Sequence, residues 1–148
     1  MMAGKAHLFA DEAAFEAIMN TDDPGAQKRL GRAVHGFEEK RWSEACEDIV
    51  VHGNMYKFSQ NQELGKYLIA TDARILVEGN PRDVVWGVGL SWDDPRIEDK
   101  KNWRGRNLLG KSLEIVRPLV RELRLNGGQI DPWNRTIVSS NSRASGRG

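Results

Sequence analysis

Residues 105–112 read GRNLLGKS, from Gly105 to Ser112, and two folds compete for that string. It satisfies G-x-x-x-x-G-K-[ST], a loop in which backbone N–H groups surround phosphates, a lysine neutralises them and a hydroxyl reaches Mg²⁺. Such a loop works between a buried parallel strand and a helix, because the tight turn and the aligned N–H groups depend on both neighbours. The residues before it, PRIEDKKNWRGR, are too charged for a buried strand. Leu108 and Leu109 already belong to the helix that follows, NLLGKSLEIVRPLVREL, in which Leu109, Leu113, Val116, Val120 and Leu123 fall on one apolar stripe. No alternation of strands and helices is present to build a nucleotide-binding sheet. The string is therefore read as the start of a packing helix with Gly110 at a close contact, and a phosphate-loop NTPase is disfavoured. Asn107, at the helix start, stays a candidate for phosphate through free N–H groups and the helix dipole.

Downstream, Pro118 is expected to kink that helix. The Gly/Ser/Asn/Arg-rich end after Asn126 has the composition of a disordered tail. The chain is thus divided into a domain over 1–125 and a tail over 126–148. Upstream, RILVEGN and DVVWGVGL are β-branched and bounded by Gly, Pro and Asn, which predicts short strands at Arg74–Glu78 and Val84–Trp86. SWDDPRIEDKKNWRGR between them and the helix reads as a surface loop. Further back, EEKRWSEACEDIVVHGNMYKFSQ predicts the longest helix, from Glu38 to about Gln60, with Trp42, Cys46, Ile49, Gly53 and Tyr56 on its inner stripe. Asn61 is positioned to cap the short helix QELGKYLIAT. Asp11 does the same for DEAAFEAIMN, whose Phe15, Ile18 and Met19 share a face, and Thr21 or Asp22 for AQKRLGRAV, which HGF then ends. MMAGKAHLF is helix-forming but has no cap before it. The expected fold class is α+β, predominantly helical, a single domain with one layered core and a few short strands.

Composition narrows the function classes. Twenty-two Lys plus Arg balance 21 Asp plus Glu, so no global field draws the chain to nucleic acid or an anionic membrane. The single Cys46 and the dispersed His7, His35 and His52 have no metal-ligand spacing, and no metal or cofactor is called for. No apolar run approaches the ~20 residues of a membrane span, and a soluble, cytoplasmic protein is expected.

Three of the five tryptophans, Trp86, Trp92 and Trp103, stand among glycines and loop-formers between residues 86 and 105. Each either folds back on the core or lines a pocket where flat rings stack on a base or sugar. Asp83, just before VVWG, suits a turn cap and equally suits stabilising a sugar oxocarbenium ion beside such a pocket. Lys5, four residues from both Met1 and Phe9, shares an otherwise apolar helical face, where partial burial would lower its pKa and make it nucleophilic.

Taken in order, MMAGKA, TDDPGAQKRLGRAVHGF, RW, KFSQNQEL, RDVVWGVGLSWDDP and NWRGRNLLGKSL resemble the motifs of the YbiA-like NADAR family, over nearly everything from Met1 to about Leu125. The resemblance implies an N-glycosidase. Its small-molecule substrate would be a ribosylamino-pyrimidine phosphate of the riboflavin pathway or ADP-ribosylated guanine, nucleic acid entering only as an ADP-ribosylated substrate. It also implies Lys5 as the motif lysine, Trp42 as the tryptophan of RW, and Asp83, Trp86 and Gly87 as the pocket Asp and Trp-Gly. Asn107 falls in the family's N-x-L-G segment. Lys5 and Asp83 would be catalytic, as nucleophile and as oxocarbenium stabiliser, while Arg104 or Arg106 suits a phosphate contact and equally a plain surface role. In the family pattern E-x-Y-x-x-A-x-K, a glutamate and a tyrosine precede the lysine, and Met1 follows both. The chain is therefore expected to be a truncated member, or a degenerate one that binds nucleotide or ADP-ribose without cleaving it.

Overall fold

A computed structural model of the chain describes residues 1–127, 129–131 and 136–138, the last two ranges as backbone only. Among the described residues six helices run in order: α1 Met2–Leu8, α2 Glu12–Met19, α3 Pro24–Arg32, α4 Glu39–Gln60, α5 Gln62–Ala70 and α6 Leu108–Asn126. Two 3-10 turns, Pro95–Glu98 and Lys100–Asn102, precede α6. β1 Gln129–Asp131 and β2 Thr136–Val138 form an antiparallel pair in the register Gln129↔Val138, Ile130↔Ile137 and Asp131↔Thr136. These are the only strands among the described residues, and they fall in the segment read from composition as a tail. The rest of 126–148 lies outside the described residues beyond Gly127.

The caps follow local chemistry. Asp11 accepts the Ala14 N–H at 3.0 Å and Asn61 accepts that of Leu64 at 3.1 Å, both as expected. The cap of α3 is instead Asp23, whose carboxylate takes the N–H groups of Gly25 and Ala26. Pro24 occupies the first helical position, where its missing N–H costs nothing, and that fixes the start one residue later than Asp22. Helix α6 continues through Pro118 to Asn126, and Gly127 at φ 68° closes it with an N–H bond to the Leu123 carbonyl.

Two compact units result, Met1–Val50 and Val51 onward, each with its own apolar cluster, in place of the one layered core expected. Ala6, Ile18 and Val34 centre the first; Val51, Met55, Leu68, Val116 and Val120 centre the second. Helix α4 accordingly changes its buried face. Its first half buries Cys46 and Val50 with Trp42 and Ile49 half-covered, whereas its second half buries Val51 and Met55. The continuous stripe predicted through Gly53 and Tyr56 breaks there: nothing approaches Gly53 within 4 Å, and Tyr56 is exposed. Met19 is likewise exposed, leaving Ile18 as the buried residue of α2.

Within the second unit, three arginines spaced along α6 tie down α5. Arg124 donates to the Asn61 and Gln62 carbonyls, Arg121 to the Ile69 carbonyl and Asp72, and Arg117 to Thr71 Oγ1 and the Arg74 carbonyl. The carbonyl ends near residues 69–74 carry the negative pole of α5, which cations complement.

The strands predicted at Arg74–Glu78 and Val84–Trp86 are absent; both stretches are irregular, because side chains and loop backbone meet their polar groups instead of a neighbouring strand. The Leu76 N–H bonds the Glu114 carboxylate at 2.9 Å, the Leu76 carbonyl accepts from Asn107 Nδ2 at 2.7 Å, and the Glu78 N–H bonds Asn107 Oδ1 at 3.1 Å. Residues 104–109 serve the second stretch, as described next.

Candidate active site

In the first unit the candidate site is a lysine enclosed by rings. Lys5 sits mid-way along α1 and is half-buried. Its Nζ lies 4.0 Å above the centroid of Phe37 and 5.7 Å from that of Trp42. Phe9 meets Phe37 edge-on at 5.5 Å, and the Arg41 guanidinium lies 5.5 Å over Phe9. The turn that delivers Phe37 is fixed locally: Gly36 takes φ 67°, a left-handed value that favours glycine, and Asp11 Oδ2 accepts the His35 N–H at 2.9 Å. Asp11 Oδ2 also lies 3.2 Å from His35 Nδ1. These bonds, that from the His35 N–H foremost, hold the Asp11 carboxyl below its ordinary range. Desolvation pulls the Lys5 ammonium below its usual value, and the Glu39 charge opposes that by less.

In the second unit five sequence-predicted residues, Asp83, Trp86, Gly87, Arg104 and Asn107, gather around a knot of backbone. Asp83 Oδ1 accepts the N–H groups of Val85 at 3.1 Å and Trp86 at 2.7 Å, so the carboxylate organises its own turn. Its second oxygen takes no hydrogen bond from the described residues. The carbonyls of residues 84–88 then receive the N–H groups of residues 104–109: Val84 from Arg106, Val85 from Leu108, Trp86 from Leu109, Gly87 from Asn107, and Val88 from both Arg104 and Gly105. The approach needs glycines. A Cβ on Gly87 would stand 2.8 Å from the Glu78 carbonyl oxygen, and one on Gly105 would strike the Gly87 carbonyl oxygen. A Cβ on Gly110 would meet the Leu76 carbonyl oxygen. Asn107 is buried at φ 53°, with both ends of its amide engaged by residues 76–78. Arg104 is exposed, its side chain near enough to Asp94 to help hold that carboxyl low, after the larger effect of Arg96. Trp86 is half-buried, while Trp92 is 79 % exposed and Trp103 folds back to donate from Nε1 to the Ile97 carbonyl at 2.8 Å.

The sequence profile of the NADAR domain matches residues 1–121. The chain belongs to this family. N-glycosidase R617 of Acanthamoeba polyphaga mimivirus is 42% identical over 117 residues, which cover 79% of this chain and 69% of the relative. Protein irg-1 of Caenorhabditis elegans is 40% identical over 118 residues, 78% of this chain and 56% of the relative. N-glycosidase YbiA of Shigella boydii serotype 4 is 31% identical over 113 residues, 76% of this chain and 64% of the relative. The chain thus spans a little over half to about two thirds of the length of these relatives.

For a NADAR domain, GRNLLGKS is a packing motif. The Ser112 hydroxyl, which would reach a metal in a phosphate loop, is buried and donates to the Leu108 carbonyl at 2.7 Å. Lys111 is exposed. The free N–H groups that Asn107 was expected to share with a phosphate are not free at Asn107, Leu108 or Leu109, each of which bonds a carbonyl of residues 85–87. Among the described residues no group of three or more His, Cys, Asp or Glu could hold a metal ion, and no helix is long and apolar enough to cross a membrane. The member of the lysine cluster that the sequence did not suggest is Phe37. HGF read as a helix breaker, and only the pairing of Gly36 with an aromatic residue hinted at more.

Proposed function

We propose that this NADAR domain hydrolyses the N-glycosidic bond of a ribosylated base, with Lys5 as the nucleophile. The observation that carries the reading is the enclosure of the Lys5 amine by Phe37 and Trp42 together with a burial that favours its neutral form. The names of the mimiviral and Shigella relatives support the reaction class. In a ribosylamine the ring opens to an imine at C1′. The neutral amine of Lys5 adds to C1′, the base departs as its amine with the transferred proton, and water cleaves the resulting Schiff base to release sugar and restore Lys5. A ribosylamino-pyrimidine phosphate or ADP-ribosylated guanine has the chemistry required. Trp42 in the first unit and, separately, Trp86 in the second each offer a flat face that suits a base or ribose, and Arg104 in the second offers a cation that suits phosphate. Asp83, one of whose oxygens takes no hydrogen bond from the described residues, has the chemistry to stabilise an oxocarbenium ion.

Borohydride reduction during incubation with either substrate tests the reading. A sugar adduct on Lys5 is expected, and Lys5→Ala should lose both adduct and base release; full release by Lys5→Ala ends the Schiff-base role. A second reading, binding of nucleotide or ADP-ribose without cleavage, is favoured by one observation: Asp83 Oδ1 is already committed to two backbone N–H groups. Calorimetric binding of ADP-ribose with no base release from any ribosylated substrate is its signature.

A further inference from the structure

Phe37 is 42% exposed, yet three independent features hold it in one place: the left-handed Gly36 before it, the edge contact from Phe9, and the Asp11 bond to the His35 N–H. An exposed aromatic ring gains little by such bracing unless its face has a task. That face is turned to Lys5, with Nζ 4.0 Å from the ring centroid, at van der Waals contact. We propose that Phe37 is a positioning residue for Lys5: its ring fixes where the side-chain nitrogen stands and covers one side of it, so that an electrophilic carbon arrives only from the side Phe37 and Trp42 leave open. The proposal rests on the reading of Lys5 as the attacking amine.

A lysine amine on a flexible four-carbon stem can be held in two ways. A carboxylate partner fixes it but keeps it protonated, which removes the lone pair. A ring face attracts the ammonium and, once the proton is lost, remains an apolar wall that makes no hydrogen bond to the lone pair. Lys5 has the second kind of holder, with Nζ over the Phe37 ring, and Glu39, the carboxylate that acts on it, does not outweigh the burial. Misplacing a reacting atom by about 1 Å can cost up to about 100-fold in rate, which is the scale on which such a holder matters.

The test uses the full chain and a probe that needs no glycosidase activity. Glycolaldehyde condenses with the Lys5 amine to an imine and water, cyanoborohydride supplies the hydride that reduces the imine, and peptide mass spectrometry reads the stable alkylated Lys5. Rates taken from pH 7 to 10 separate a plateau, which reports position, from a midpoint, which reports protonation. Phe37→Leu keeps an apolar cover without a ring face and should lower the plateau about tenfold, whereas Phe37→Tyr should stay within about twofold of the parent. Carbon-13 and proton NMR of the Lys5 ε-methylene gives the second readout, a ring-current upfield shift present in the parent and Phe37→Tyr and lost in Phe37→Leu. An unchanged plateau in a folded Phe37→Leu, or an unshifted ε-methylene in the parent, overturns the proposal. The parent NMR measurement decides the geometry even where Phe37→Leu does not fold. Failure of base release alongside the expected plateau loss removes the glycosidase reading and leaves the positioning role standing.

Discussion

The lysine cluster of the first unit and the glycine knot of the second are built from opposite materials. Around Lys5 the contacts are side chain to side chain: an amine over Phe37, the Phe9 and Phe37 rings edge to face, and, among the described residues, no hydrogen bond holding Nζ. Around Gly87 and Gly105 they are mainly backbone to backbone, and at Gly110 the Leu76 carbonyl and the Asn107 amide close in, so that none of the three has room for a Cβ. A cluster of the first kind leaves a functional group available; a knot of the second kind satisfies its own polar groups. The difference separates motif residues whose polar groups the fold consumes from those it leaves unengaged. Asn107 and the glycines belong to the consumed set, Lys5 to the unengaged one, and Asp83 stands between them with one oxygen engaged.

Substitutions can break that contrast at either end. Gly110→Ala should do the most damage, because the new methyl meets a backbone carbonyl that has no rotamer to escape into. A loss of about 3 kcal/mol or more in urea unfolding, or failure to fold, is expected, at the upper end of what single substitutions do. A stability within about 0.5 kcal/mol of the parent would dissolve the knot as described. Asn107→Ala comes next, at about 2–4 kcal/mol, since it orphans the Glu78 N–H and places a side chain without a local hydrogen bond in the left-handed region. Asn107→Gly keeps the backbone conformation and should recover about 1 kcal/mol of that loss, which separates the amide from the φ value.

Lys5→Met should sharpen the contrast from the other side. It keeps an unbranched chain on the same face and should change stability by less than about 1 kcal/mol while eliminating any covalent adduct. Lys111→Ala, one residue from Gly110, should be smaller still, under about 0.5 kcal/mol by thermal melt, with ligand binding intact. A comparable collapse at both neighbours would mean that α6 responds to side-chain loss in general rather than to backbone proximity. The last effect is confined to a turn. Asp94 is lowered from 3.8 to about 2, chiefly by the side-chain bonds from Arg96 and then by the Arg96 N–H. A lowered carboxyl stabilises above its ordinary pKa and loses that contribution as pH falls through its folded value. Hydrogen-exchange protection in 95–103 should therefore fade between about pH 4 and 2 while α6 keeps its own. Protection that fades near pH 6 would assign it to another group.

What the sequence made readable was local. The caps Asp11 and Asn61 need only a side chain and an N–H three residues on, and the long helices need only their period. Asp23 was missed although Pro24 marks the first helical position, a signal as local as the others. The expected strands failed for a different reason: β-branched residues also suit extended segments, and Leu76 and Glu78 found their partners in Asn107 and Glu114, about thirty to forty residues away. The change of buried face along α4 needed knowledge of two separate cores. Of the candidate site, the partial burial of Lys5 was legible from its apolar face, but its contact with Phe37 was not, because a contact between residues 5 and 37 has no spacing of its own.

The pairing of carbonyls 84–88 with N–H groups 104–109 also sets an order of events during synthesis. At about 5–20 residues per second the first stretch emerges one to several seconds before its partners are made. Through that interval VVWGV, with its two consecutive valines and a tryptophan, stands with unmatched carbonyls, the kind of short apolar stretch that associates with other chains. The residues that emerge directly behind it, from Ser91 to Arg106, are dense in Asp, Glu, Lys and Arg and contain Pro95. Charges and a proline next to a short apolar stretch disfavour such association. Neutralising several of those charges should leave the finished domain nearly as stable and yet lower its soluble yield, with the loss growing as translation is slowed.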